Sequence, residues 1–204
     1  MAAQPQLPAD DLLTRGYFHD RVIPPLNSTG LLPALGELKN IAKPGKIRSR
    51  CTYHSVPKRK HLRRLLSIPN PLHQTALAVE IEGHWADLES FCKQSTISLS
   101  VPKPSSERAL ESSYGINAQA VQRSLRSVGA RYVLKTDISR FYPSIYTHSV
   151  AWAIHGKEKA RADNSLYGNR LDKRISDTQD RQTGGIPICP ASSFLIGEIM
   201  GSAS

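Results

Sequence analysis

The chain of 204 residues carries 27 Lys or Arg against 17 Asp or Glu, a formal charge of +10, so it is long enough for one ordinary domain with a real core and predicts a polyanionic partner, nucleic acid first. The N-terminus MAAQPQLPADDLL has neither a basic n-region nor an apolar h-region, and no apolar run approaches about eighteen residues, which argues against export and membrane insertion and for a cytoplasmic protein. Cys51, Cys92 and Cys189 are far apart without a C-x-x-C spacing, and the seven His include no H-E-x-x-H, which excludes a disulfide framework and a recognisable zinc motif.

In chain order, residues 1–38 are rich in Pro and Leu, with short helical pieces at 10–14 and 27–38 interrupted by Pro24, Pro25 and Pro33, an irregular wrap. Residues 39–64 hold ten Lys or Arg, and no acidic residue follows until Glu80. A short basic run is ordinarily a solvated face. This one is long and carries Tyr53, His54 and His61 among its cations, which favours contact with phosphates and unpaired bases. Its candidate nucleic-acid contacts are Lys46, Arg48, Arg50, Lys58, Arg59, Lys60, Arg63 and Arg64.

Asn70-Pro71 reads as a helix start, Asn capping and Pro in the first turn where its missing N–H costs nothing. Leu77, Ile81, Trp85, Leu88 and Cys92 follow at helical spacing, which makes Trp85 a core residue. Alternation over 96–101 predicts a strand ended by Pro102; 103–113 reads as a polar loop. A helix over 117–125 is expected to turn Ala118, Val121 and Leu125 inward, Gly129 stopping it. A strand at 132–137, an amphipathic helix at 147–156, a polar stretch at 157–182 with a helix near 171–178 and a helix from about Ser192 complete an α+β pattern, without repeats or low-complexity tracts.

Two segments carry chemistry. In YVLKTDISRFYPS a run of strand formers delivers Asp137, with Phe141 and Tyr142 just beyond. A lone Asp at a strand end is ordinarily a turn or cap residue. On a rigid strand edge it also suits a hard cation such as Mg²⁺, which phosphoryl transfer needs to neutralise a triphosphate and activate the attacking oxygen. Tyr142 is near enough to wall the sugar of a bound nucleotide, and Phe141 reads as core. In TGGIPICPASS, Gly184 and Gly185 permit close backbone approach, Pro187 and Pro190 stiffen the loop, and Ser192 or Ser193 is placed to cap the next helix.

DISRFYPSIYTHS followed by QTGGIPICP resembles the first palm motif and the glycine-proline loop of bacterial reverse transcriptases, most closely the retron-like and abortive-infection or phage-defence groups. TRGYFHDRVIPP, IPNPLHQTALAVEIEGHW and TISLSVPKP are similar to the N-terminal and fingers regions of those proteins. The resemblance implies a right-hand polymerase fold, fingers followed by a partial palm, that copies an RNA template into DNA from deoxynucleoside triphosphates with Mg²⁺, without an obligate protein partner. It implies segments at 1–68 (wrap and basic region), 69–130 (fingers-like) and 131–204 (partial palm). By the same resemblance Asp137 is the first metal carboxylate and the catalytic residue, the Ile138 carbonyl a further ligand, and Tyr142 the sugar-discriminating aromatic. Gly184, Gly185 and Pro187 lie in the loop under the templating pair, and Arg108 matches a fingers arginine that grips the triphosphate.

Two departures stand out. Cys189 occupies a position where these proteins show Gly, and the Tyr-x-Asp-Asp hairpin is missing, the only adjacent aspartates being Asp10 and Asp11. The expectation is an N-terminal fragment, inactive alone, whose uncovered surfaces favour aggregation. The alternative is a non-catalytic basic RNA-binding protein derived from a polymerase.

Overall fold

The computed structural model describes residues 6–18, 28–41, 48–59 and 61–203. Within them the chain is α+β, mostly helical, with two separate two-stranded antiparallel sheets. No described helix is long and apolar enough to cross a membrane.

Helix α1 (Ala9–Thr14), a 3₁₀ turn (Thr29–Ala34) and α2 (Leu35–Ile41) form the N-terminal wrap. Helix α3 (Pro71–Gly83) starts as its sequence predicts. Pro71 opens it, and the Asn70 side chain accepts a hydrogen bond from the Leu72 N–H at 2.9 Å, satisfying one of the free first-turn donors. The apolar face expected over 77–92 is divided at His84 between α3 and α4 (Trp85–Lys93). All five of its members are buried, Trp85 among them, and burial pushes the Cys92 thiol up to about 12, with Glu198 and Glu89 adding to it.

Three segments of sequence share one hydrophobic cluster: Leu12 and Leu13 of α1, the α3 and α4 face, and Leu171, Ile175, Leu195, Ile196 and Ile199 of the C-terminal helices. Helix α3 packs on α1, α2 and α9 (Tyr167–Asp177). Helix α7 (His148–His155) packs on α8 (Lys157–Ala162), α9 and α10 (Ala191–Ser202), and α10 also meets α4.

Several local expectations fail for identifiable reasons. The basic region, to which sequence reasoning assigns no element, forms a hairpin: β1 (Thr52–Arg59) and β2 (Leu62–Ile68) pair antiparallel, Thr52 opposite Ile68 and Val56 opposite Arg64, with a bulge between Pro57 and Arg59. Residues 96–101 do not form a strand; pairing starts one step later, β3 (Pro102–Pro104) against β4 (Leu110–Ser112), inside the segment expected to be loop. Helix α5 (Ile116–Arg126) forms, but Val121 and Leu125 are 57% and 59% exposed, so its apolar stripe faces away from the core, and Ala118 is exposed too. Residues 132–137 take no strand pairing, and Tyr132, Val133 and Leu134 stand exposed, because no described strand lies beside them to complete a ladder.

Candidate functional site

The two motif segments, far apart in sequence, meet directly. A single helical turn, α6 (Phe141–Ser144), is entered through Arg140 in the left-handed region and carries Tyr142. Behind it the Gly/Pro loop docks by its backbone. The Gly185 N–H donates to the Ile145 carbonyl at 2.7 Å and the Ile186 N–H to the Tyr142 carbonyl at 3.0 Å. Tyr146 faces Gly184 across an isolated antiparallel bridge, and the Thr147 N–H donates to the Thr183 carbonyl at 2.9 Å.

Gly185 makes this possible twice over. Its φ is +84°, and a Cβ there would lie 3.2 Å from both the Cα and the carbonyl oxygen of Pro143. Cys189 needs no such freedom: Arg140, Asp180 and Arg181 are the described non-glycine residues with positive φ, so a side chain at 189 is compatible with the loop backbone. Pro187 is buried within the loop and Gly184 is exposed. The helix cap differs from expectation. Pro190 takes the N-cap position of α10, and Ser192, already inside the helix, accepts a hydrogen bond from the Gln74 side chain at 3.1 Å.

The hairpin and the N-terminal segment close onto the same loop. The Ser67 N–H of β2 donates to the Ile188 carbonyl at 3.0 Å, and the Ala191 N–H donates to the Gly16 carbonyl at 2.7 Å. The buried Tyr17 hydroxyl donates to the Pro69 carbonyl, and the Cys189 thiol lies 3.8 Å from the Tyr17 carbonyl. Burial raises the Tyr17 phenol well above its ordinary value, keeping it a neutral donor, with the neighbouring Cys189 and Cys51 thiols contributing.

These junctions surround a cavity of about 1020 Å³. Its wall takes Arg64 and Leu66 from β2, Tyr142 from the aromatic turn, Ile188 to Ala191 from the loop and its helix, Lys103, Arg108 and residues 110–119 from the second hairpin and the start of α5, and Arg15 and Phe18 from the N-terminal segment. Four cations thus face Glu107 and Glu111. Arg15 is engaged, paired with Asp11 at 2.6 Å and donating to the Ser105 carbonyl at 2.9 Å. Arg64, Lys103 and Arg108 form no ion pair among the described residues. Burial raises the Tyr142 phenol, Glu198 adds to the shift, and the Arg64 guanidinium opposes it.

No protein-family model matches this chain, and no curated protein does.

Beyond the cavity, Arg48, Arg50, Lys58 and Arg63 are all exposed, as is Tyr53. Arg50 reaches Asp180 at 3.4 Å and Arg63 donates twice to Ser55, at 2.7 Å each, stiffening the hairpin across its strands. Lys46 and Lys60 lie outside the described residues, and Arg59 is described in its backbone alone.

Asp137 and Ile138 are exposed and stand outside the cavity wall. No group of three or more His, Cys, Asp or Glu that could hold a metal is found among the described residues. One carboxylate and one main-chain carbonyl are oxygen donors of the type Mg²⁺ takes, and fall short of a two-metal centre. Gly184, Gly185 and Pro187 lie behind the aromatic turn and position it, and do not line the cavity themselves. Arg64 is the residue that sequence reasoning put to a different use. Grouped with the nucleic-acid contacts of the basic run, it is the hairpin cation that enters the cavity; the signal was its place in a strand leading to Leu66, which is 3% exposed.

Proposed function

We propose that this chain is a fingers and partial-palm unit of a reverse transcriptase, binding a deoxynucleoside triphosphate in the central cavity and an RNA template with its DNA strand along the basic β1–β2 hairpin. The observation that carries the reading is the cavity wall. Residues from the hairpin, the aromatic turn and the Gly/Pro loop, three segments singled out on chemical grounds, converge there with three cations that no described carboxylate pairs.

In this reading Arg64, Lys103 and Arg108 receive the triphosphate as charge-assisted donors, and Tyr142 walls the sugar. Asp137 and the Ile138 carbonyl, outside the cavity wall, would be the ligands for Mg²⁺, which would supply neutralisation of phosphate charge. The exposed guanidinium and ammonium groups of Arg48, Arg50, Lys58 and Arg63 follow the nucleic-acid backbone, with Tyr53 free to stack on an unpaired base. The direct test is equilibrium binding of dATP and ATP to the purified chain, with Arg64→Ala and Arg108→Ala. Saturable binding weakened by roughly tenfold or more in each variant supports the reading; wild-type protein that binds neither nucleotide overturns it.

One observation favours a second reading, a basic RNA-binding protein without catalysis: no carboxylate cluster accompanies Asp137 among the described residues. Both readings predict salt-dependent RNA binding. Nucleotide binding separates them, since only a polymerase unit needs the cavity filled by a triphosphate.

A further inference from the structure

Tyr142 packs against the core and over α10. It rests on the backbone of α10 at Gly197, a buried residue at which a Cβ would lie 3.3 Å from Tyr142 Cε1, 3.7 Å from its hydroxyl and 3.2 Å from Phe141 Cε1. The two rings sit side by side, centroids 5.5 Å apart and tilted by 59°, both lying over this glycine. Both rings pack against the hydrophobic core, and of the two only Tyr142 also lines the cavity.

We infer that Gly197 is a positioning residue for the sugar wall: by leaving room for the Tyr142 ring against α10, it sets how far that ring projects into the cavity and so how strictly a 2′-hydroxyl is refused. This rests on the nucleotide reading of the cavity given above. The physical argument is one of unequal resistance. A methyl placed at 197 requires a displacement of a few tenths of an ångström from whichever neighbour gives way. Packed core resists at close-packed density, so Phe141 holds. The ring bordered by open volume yields, and Tyr142 moves toward the ligand. The 2′-hydroxyl is the part of the sugar that meets the wall first, so a ribonucleotide loses more affinity than a deoxyribonucleotide.

The experiment measures dissociation constants for dATP and ATP on the full chain, for wild type, Gly197→Ala, Tyr142→Ala and the double variant. Gly197→Ala is expected to raise the preference for dATP over ATP by roughly threefold or more, and to leave the preference unchanged when Tyr142 is already Ala. If Gly197→Ala unfolds, Phe141→Leu combined with it removes the tighter of the two contacts and keeps the methyl beneath Tyr142, with the same shift expected. Binding of both nucleotides with an unaltered ratio in the folded glycine variant overturns the inference alone, as does an equal shift in the Tyr142→Ala background. Absence of nucleotide binding by the wild type overturns the inference together with the reading beneath it.

Discussion

Gly185→Ala tests the junction of the two motif segments, and its cost can be worked from two separate terms. The residue holds φ +84°, where an L side chain costs about 1–2 kcal/mol. The added Cβ meets the Pro143 backbone at 3.2 Å from two atoms, and backbone cannot rotate away as a side chain would, so overpacking adds about 1–2 kcal/mol. The sum is about 2–4 kcal/mol, or roughly 5–15 °C in Tm for a domain of this size. Gly184→Ala is the matched control: nothing lies within 4 Å of its Cβ position and its φ is not in the left-handed region, so a change within about 0.5 kcal/mol is expected. Urea and thermal melts followed by far-UV circular dichroism supply both numbers. If the two variants melt within 2 °C of each other, the Gly185 contact with Pro143 does not hold the junction and the argument for a rigid aromatic turn collapses.

Acid destabilisation is expected from two histidines. Burial lowers His73, with Asp177 opposing and Arg174 and Arg181 assisting, and burial lowers His155, with Lys159 assisting and Asp163 opposing. With folded values below the unfolded 6.5, the unfolded chain binds protons first, so stability is full above about pH 6.5 and falls as pH drops through the window beneath it; a pH series of urea midpoints checks this, and a flat profile from pH 7 to about 5 contradicts it. Leu88→Ala, at a fully buried site, should cost about 2–5 kcal/mol, whereas Leu125→Ala, 59% exposed, should cost less than about 0.5 kcal/mol; chemical denaturation distinguishes them. For RNA, Lys58→Ala on the hairpin and Arg48→Ala just before it should each weaken binding alike across sequences and lower the slope of log affinity against log salt by about one, and an unchanged slope in both removes this basic segment from the interface.

Sequence pattern located what burial organises. The α3 and α4 face was legible because its five apolar residues all enter the core, and Asn70-Pro71 because capping chemistry is local. The β1–β2 hairpin was not, since cations stand on both of its faces, Pro57 interrupts β1 and only Leu66 among its apolar residues is deeply buried, leaving no period-two signal. The opposite error occurred at α5 and at 132–137. The first has helical periodicity and the second is a run of strand formers, yet Val121, Leu125, Val133 and Leu134 are exposed, because local pattern states which face would pack and not whether a neighbour is there to receive it. In the candidate site, Tyr142 was singled out from its place just beyond Asp137 and Arg108 from the resemblance alone, and both stand in the cavity wall. Arg64's entry into the cavity was not legible, since it depends on the Ser67 to Ile188 hydrogen bond between segments more than a hundred residues apart.

That hydrogen bond belongs to a set with a common property. The hairpin, the N-terminal segment, the loop and the aromatic turn are joined at the cavity by Ser67 to Ile188, Ala191 to Gly16, Ile186 to Tyr142 and Gly185 to Ile145, and each is a main-chain N–H donating to a main-chain carbonyl. Side-chain substitution leaves such bonds in place wherever the backbone geometry is tolerated, so the frame of the cavity is separable from its lining. Arg64 and Arg108 project from that frame without holding it, and replacing them should alter ligand affinity with little loss of stability, whereas Tyr142 also packs against the core. Gly185 and Gly197 contribute no chemistry of their own and act by where they let the backbone and the rings lie. A variant of the first kind that melts early, or of the second kind that changes binding without any shift in Tyr142, would show that frame and lining are coupled after all.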